Sequence, residues 1–153
     1  MVMGWRGSRG FTLVELMIAM VLLAILVGIA LPSYQDIIAD QRNRTAANEL
    51  HSALVLARSE AVKRNAQITL SPVGTWAVGW RIASPVAGQP DLLNHSLASD
   101  VVVTSAAVSV VFGASGRANA PVEFELTSDT NANAVRCLRL GVDGRASVEK
   151  GDC

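Results

Sequence analysis

Histidine and cysteine are scarce: the chain has two of each in 153 residues. Cys137 and Cys153 have no histidine near them in sequence, so they cannot assemble the four ligands of a tetrahedral metal site. His51 and His95 are isolated too, and His51 reads as a packed or surface residue of a helix. No serine sits in a G-x-S-x-G turn, and no glycine-rich loop runs into a lysine as a phosphate loop requires. Internal repeats and low-complexity tracts are also missing. Thirteen basic residues balance thirteen acidic ones, so the chain lacks the one-signed excess of a wholesale nucleic-acid binder. These absences point to a protein that is not an enzyme, with no catalytic residues, cofactor or metal.

Charge is missing from one long run. From Phe11 to Leu31 the only charged residue is Glu15 and the only other polar side chain is that of Thr12. At about 1.5 Å per residue, roughly 20 apolar helical residues cross a hydrocarbon core of about 30 Å. The run therefore reads as a membrane-spanning helix. A carboxylate inside such a helix costs about 2.5–3.5 kcal/mol at its centre and persists only with a partner or a function. A cleaved secretory signal has a shorter apolar core, about 7–15 residues, followed by a small-residue cut site; here no A-x-A pattern precedes Pro32. A plain signal anchor, held by Arg6 and Arg9 on the cytoplasmic side, accounts for the hydropathy but not for Glu15.

The order Arg9-Gly10-Phe11-Thr12-Leu13-Val14-Glu15-Leu16 resembles the processing signature of type IV prepilins and pseudopilins. The resemblance implies cleavage by prepilin peptidase between Gly10 and Phe11, N-methylation of Phe11, and pairing of Glu15 with the N-terminal amine of a neighbouring subunit during assembly. It implies an inner-membrane protein with its N-terminus cytoplasmic and its C-terminal domain periplasmic, later part of a pilus or pseudopilus. The implied partners are prepilin peptidase, other major and minor pilins or pseudopilins, and inner-membrane lipid.

Beyond the apolar run, Gly28 and Pro32 predict a kink, because Pro32 removes a helical hydrogen bond and crowds the carbonyl of residue 28. The pattern then turns amphipathic: Ala46, Ala47, Leu50, Ala53, Leu54, Ala57 and Ala61 recur every three or four residues as one apolar stripe. The segment Asn48-Glu49-Leu50 through Ala57-Arg58-Ser59-Glu60-Ala61 to Asn65 resembles the helix end of GspH/FimT/FimU-type minor pilins and pseudopilins. Val110-Val111-Phe112-Gly113 leading into Gly116-Arg117 resembles the β-domain of the same group.

After Asn65 the chain reads as β-rich. Strands are expected at 66–70, 76–83, 100–105, 107–113, 121–127, 135–141 and 146–150, with turns at 71–75, 114–117 and at Asp143-Gly144. Trp76 and Trp80 are expected on one face, while 84–90 is loop and 91–99 has no clear assignment. The expected organisation is a leader at 1–10, a membrane or filament-core helix at 11–32, its amphipathic half at 33–65 and a β-rich head at 66–153. The fold class is α+β and pilin-like, a long N-terminal helix on a small antiparallel β-sheet domain. In an exported head, Cys137 and Cys153 read as a disulfide.

Arg117, Arg136, Arg139, Arg145 and Lys150 are basic residues of the head. Some FimT-type pilins bind DNA through a C-terminal G-R-x-R motif. Here Gly144-Arg145-Ala146-Ser147 has serine at the second arginine position, and Asp143, Glu149 and Asp152 lower the local field. Arg117, Arg139 and Arg145 are the DNA-contact candidates of a reading that ranks below a solvated turn with ordinary ion pairs.

Overall fold

A computed structural model describes residues 10–131 and 133–153, with the side chains of residues 30–33 outside the described set. The expected leader lies outside it except for Gly10. One helix, α1 (Leu13–Arg64), precedes eight strands: β1 (Ile68–Val73), β2 (Thr75–Ile82), β3 (Leu93–Ser96), β4 (Val101–Thr104), β5 (Val110–Phe112), β6 (Val122–Ser128), β7 (Arg136–Leu140) and β8 (Ala146–Lys150). The chain divides into two compact units, Met1–Gln35 and Asp36–Cys153.

In the first unit, the large apolar side chains from Phe11 to Ile29 are all exposed, from 48% at Val27 to 74% at Phe11. A helix that is apolar all round needs lipid or other helices about it. This one is long and apolar enough to cross a membrane. Helical assignment continues through Gly28 and Pro32; the kink expected there falls on a stretch whose side chains, at 30–33, lie outside the described residues.

In the second unit, α1 buries a stripe that starts at Ala39, earlier than the sequence pattern suggests, and runs through Ala46, Ala47, Leu50, Ala53, Leu54 and Ala57 to Ala61. Its one polar member, Asn43, is fully buried and donates from Nδ2 to the carbonyl of Ala134. Small side chains let the helix lie close against the strands, so the stripe favours contact over bulk. The helix stops where Asn65 takes a left-handed conformation (φ 49°). Asn65 N–H then bonds to Val62 O and Ala66 N–H to Ala61 O, the paired bonds of a Schellman end.

The strands form two antiparallel sheets, in the orders β3-β2-β1-β5 and β4-β6-β7-β8, where the sequence suggested one small sheet. They share a core with the helix stripe. Trp76 of β2 meets Phe124 of β6 edge-on with ring centroids 4.8 Å apart, and its Nε1 donates to the Ala107 carbonyl at 2.7 Å. Both expected tryptophans are buried. Truncating a ring such as Phe124 to alanine in such a core costs about 3–5 kcal/mol.

Two boundaries differ from the sequence reading. The expected turn at 71–75 is strand up to Val73, with the chain reversing at Gly74. Pro72 is tolerated because β5 pairs only with Ile68, Thr69 and Leu70, and the β1–β2 register shifts between Pro72 and Val73; proline is confined to such uncovered or bulged positions. The unassigned stretch 91–99 contains β3.

Candidate functional site

The helix start is built by Thr12. Its Oγ1 accepts a hydrogen bond from Glu15 N–H at 3.2 Å, and its carbonyl accepts from Leu16 N–H at 3.1 Å. Thr12 is therefore the N-cap and Glu15 the third helical residue, the spacing of a capping box. The sequence carries that signal as T-x-x-E, and reading Glu15 only as an assembly residue missed it. A carboxylate in the first turn also meets the positive end of the helix dipole. Gly10 and Phe11 precede the helix, both exposed, and nothing lies within 4 Å of a Cβ built on Gly10. The bond between them stands in uncovered chain outside the helix. Glu15 makes no ion pair among the described residues.

In the head, the basic residues named from the sequence separate into two sets. Arg136 Nη2 reaches both Asp40 oxygens, at 2.9 and 3.1 Å, tying β7 to the helix. Arg139 is held by Glu123 at 3.1 Å, Glu149 at 2.9 Å and the Cys153 carbonyl at 2.9 Å. These two are neutralised by their own neighbours. Arg145 is 82% exposed and only 3.6 Å from Asp143, and Arg117 is exposed as well.

Arg117 and Arg145 follow two turns of the same build, Gly113-Ala-Ser-Gly116-Arg117 and Gly141-Val-Asp-Gly144-Arg145. In each, the first glycine donates to the arginine carbonyl (3.0 and 2.9 Å) and the second glycine to the first (2.8 and 2.9 Å). Ala118 N–H reaches the Val142 carbonyl at 3.2 Å, so the turns lie side by side. The structure thus sets the turns that carry Arg117 and Arg145 side by side, while Arg139 is engaged by its own carboxylate neighbours. The repeated G-x-x-G-R pattern is visible in the sequence but gains meaning only once the turns meet. Cys137 and Cys153 form a disulfide across a separation of 16 residues. Among the described residues no group of His, Cys, Asp or Glu side chains could hold a metal ion.

The family model described as type II transport protein GspH matches residues 46–144, well over half of the chain. The chain belongs to the GspH family. A second model, the prokaryotic N-terminal methylation motif, matches residues 5–31 of this GspH-family protein. A fimbrial protein of Pseudomonas aeruginosa is 39% identical over 66 residues, 43% of this chain and 42% of that protein. A type IV major alpha-pilin of Moraxella bovis is 48% identical over 45 residues, 29% of this chain and 28% of that pilin. The match thus spans less than half the length of either relative. A crystal structure of the P. aeruginosa type IV minor pilin FimU superposes with a TM-score of 0.61 at 24% identity, covering 69% of this chain and 87% of that one. That likeness establishes a shared fold. Together these matches identify a type IV pilin-like minor pilin or pseudopilin.

Proposed function

We propose that this GspH-family protein is a minor pilin of a type IV pilus that primes assembly or sits near the tip. In this reading residues 1–10 are a leader removed by prepilin peptidase, and Phe11 is N-methylated. Residues 11–32 anchor the subunit in the inner membrane, cytoplasmic end first, and later join the filament core with a kink at Gly28 and Pro32. Residues 33–65, the amphipathic half of the same helix, pack under the periplasmic β-rich head of residues 66–153. The protein works by assembling with other pilins, not by catalysis. The observation that carries the reading is the uncovered apolar helix from Phe11 to Ile29 behind an exposed Gly10–Phe11 bond. An apolar surface of that extent is soluble only among lipids or like helices. Surface pili sheared from a strain deleted for the gene test it: loss of pili, restored by the intact gene, supports a priming subunit, and a normal yield refutes it.

The match to the type II transport family model favours a second reading, an H-type pseudopilin of a type II secretion machine. The same strain tests it, through exoproteins retained in the periplasm while pili remain normal. A third, weaker reading is DNA binding in transformation, supported by the adjacency of the two turns that carry the exposed Arg117 and Arg145. A low-salt gel shift abolished by Arg145→Ala would support it, and no shift would end it.

A further inference from the structure

Strand β3 is the edge of its sheet. It pairs with β2 on one side, and among the described residues no backbone group pairs with its other side. An antiparallel strand turns alternate residues towards each neighbour, so half of its N–H and C=O groups stand free along an open edge. The helix is uncovered at the same place. A groove of about 400 Å³ is lined by helix residues from Thr45 to Leu56 and by Trp80, Leu93 and His95.

The groove specifies its occupant. Ala53, Leu56, Leu93 and Trp80 make its wall apolar. Trp80 is fully buried, and its Nε1 donor has no acceptor among the described residues, so the floor of the groove holds a polar group that the chain itself leaves unsatisfied. At the rim the Glu49 carboxylate, 45% exposed, lies 3.2 Å from the Nε2 of His95 and meets no other basic group among the described residues. This exposed carboxylate gives the rim an anionic oxygen that a cationic side chain can approach from solvent. The platform is firmly seated: the His95 ring stacks on Trp80 with centroids 4.6 Å apart. The His95 carbonyl comes within 2.2 Å of where a Cβ on Gly79 would stand, an approach only glycine allows.

We propose that this groove docks an extended polypeptide segment of a partner protein, added as a strand to the free edge of β3. Alternate apolar side chains of the segment face the helix, and a cationic residue lies beside Glu49. Main-chain bonds along the edge supply affinity, while the apolar wall and Glu49 supply selection. A lipid tail would fill the wall but leave the strand edge and Glu49 unused. The inference concerns the head alone and stands whether the subunit serves a pilus or a secretion machine.

The full chain, ¹⁵N-labelled in lipid nanodiscs, is titrated with three synthetic nonapeptides: alternating valine and threonine with a central lysine, the same peptide with glutamate there, and the same with proline there. The lysine peptide is expected to shift the Trp80 indole N–H and the Leu93 and His95 amide signals saturably. The glutamate peptide should bind about threefold more weakly, as one partly exposed charge pair allows, and the proline peptide not at all. Glu49→Gln should equalise the lysine and glutamate peptides without moving the Trp80 signal of the free protein. No saturable shift with the lysine peptide, equal binding of the proline peptide, or shifts confined to another face would overturn the proposal.

Discussion

The carbonyl oxygen of Gly116 stands where a side chain on Gly144 would begin: a Cβ built on Gly144 falls 2.1 Å from it. Gly144 also has φ +75°, in the left-handed region. Two independent constraints, conformation and contact, meet at one residue. The contact holds the two arginine-bearing turns together against helix residue Arg58, whose Nε lies 3.2 Å from the same Cβ position.

Gly144→Ala should therefore destabilise the head more than an alanine at a glycine that has only the conformational constraint. Gly74 is that control, with φ +79° and nothing within 4 Å of its Cβ position. Gly74→Ala is expected to cost about 1–2 kcal/mol, and Gly144→Ala clearly more because backbone must move. Denaturant midpoints of the two variants check this; equal losses would mean that the turns separate freely.

The legible parts of the fold were those written in local pattern. The uncharged run from Phe11 to Leu31 and the alanine stripe each announce a helix face, and most strands lie within two or three residues of where alternation and turn signals place them. β3 was not legible because Asp91–Ser99 lacks β-branched residues; what makes Leu93–Ser96 a strand is the Trp80 ring under His95 and the missing side chain at Gly79. Asn43 gave no local sign of burial, since its partner, the Ala134 carbonyl, is 91 residues away. Part of the candidate site was legible in order but not in contact. The sequence grouped Arg139 with Arg117 and Arg145, while pairing across β6, β7 and β8 gives Arg139 to Glu123 and Glu149.

The Cys137–Cys153 bond closes a loop in a chain end that hydrogen bonds also hold, Gly151 N–H to the Val135 carbonyl at 3.0 Å and Arg139 to the Cys153 carbonyl. Reduction should weaken the head without unfolding it. The expected loss is about 3 kcal/mol, the unfolded-state entropy released from a loop of this length. Denaturant unfolding with and without reductant measures it, and an unchanged midpoint would show that the hydrogen bonds alone hold the terminus.

Acid should weaken the head through Asp100 and Glu60. The Arg42 guanidinium, hydrogen-bonded to Asp100, holds that carboxyl below its ordinary value against an opposing effect of burial. Arg64 does the same for Glu60, with burial opposing and Lys63 adding its charge. A lowered folded-state value means that the unfolded chain binds the proton more readily. Stability from these pairs is full above the ordinary carboxylate range, about pH 4, and is lost as pH falls through the folded values. Solvent screening keeps the effect small. The Asp100→Asn, Glu60→Gln double variant should be less stable at neutral pH and show a flatter acid limb in denaturant midpoints. A limb parallel to that of the unaltered protein would remove these pairs from the account.

Glu15 has two roles to separate. As the third residue of the helix it can complete the capping box with Thr12, and as a carboxylate it can pair with a neighbouring subunit's N-terminal amine. Glu15→Gln retains an amide oxygen for capping and removes the charge, whereas Glu15→Leu removes both. If charge pairing governs assembly, both variants insert and are cleaved at Gly10–Phe11, yet neither enters filaments, because in an apolar filament core the lost attraction far exceeds its value in water. If capping governs, Glu15→Gln assembles and Thr12→Val, which removes the cap at a cost of about 1 kcal/mol, fails with Glu15→Leu. Immunoblots of membrane and sheared-filament fractions distinguish the two. The expected outcome is cleaved but unassembled protein for both Glu15 variants and near-normal assembly for Thr12→Val, since a membrane or filament of helices can hold a frayed first turn but cannot supply a missing counter-charge.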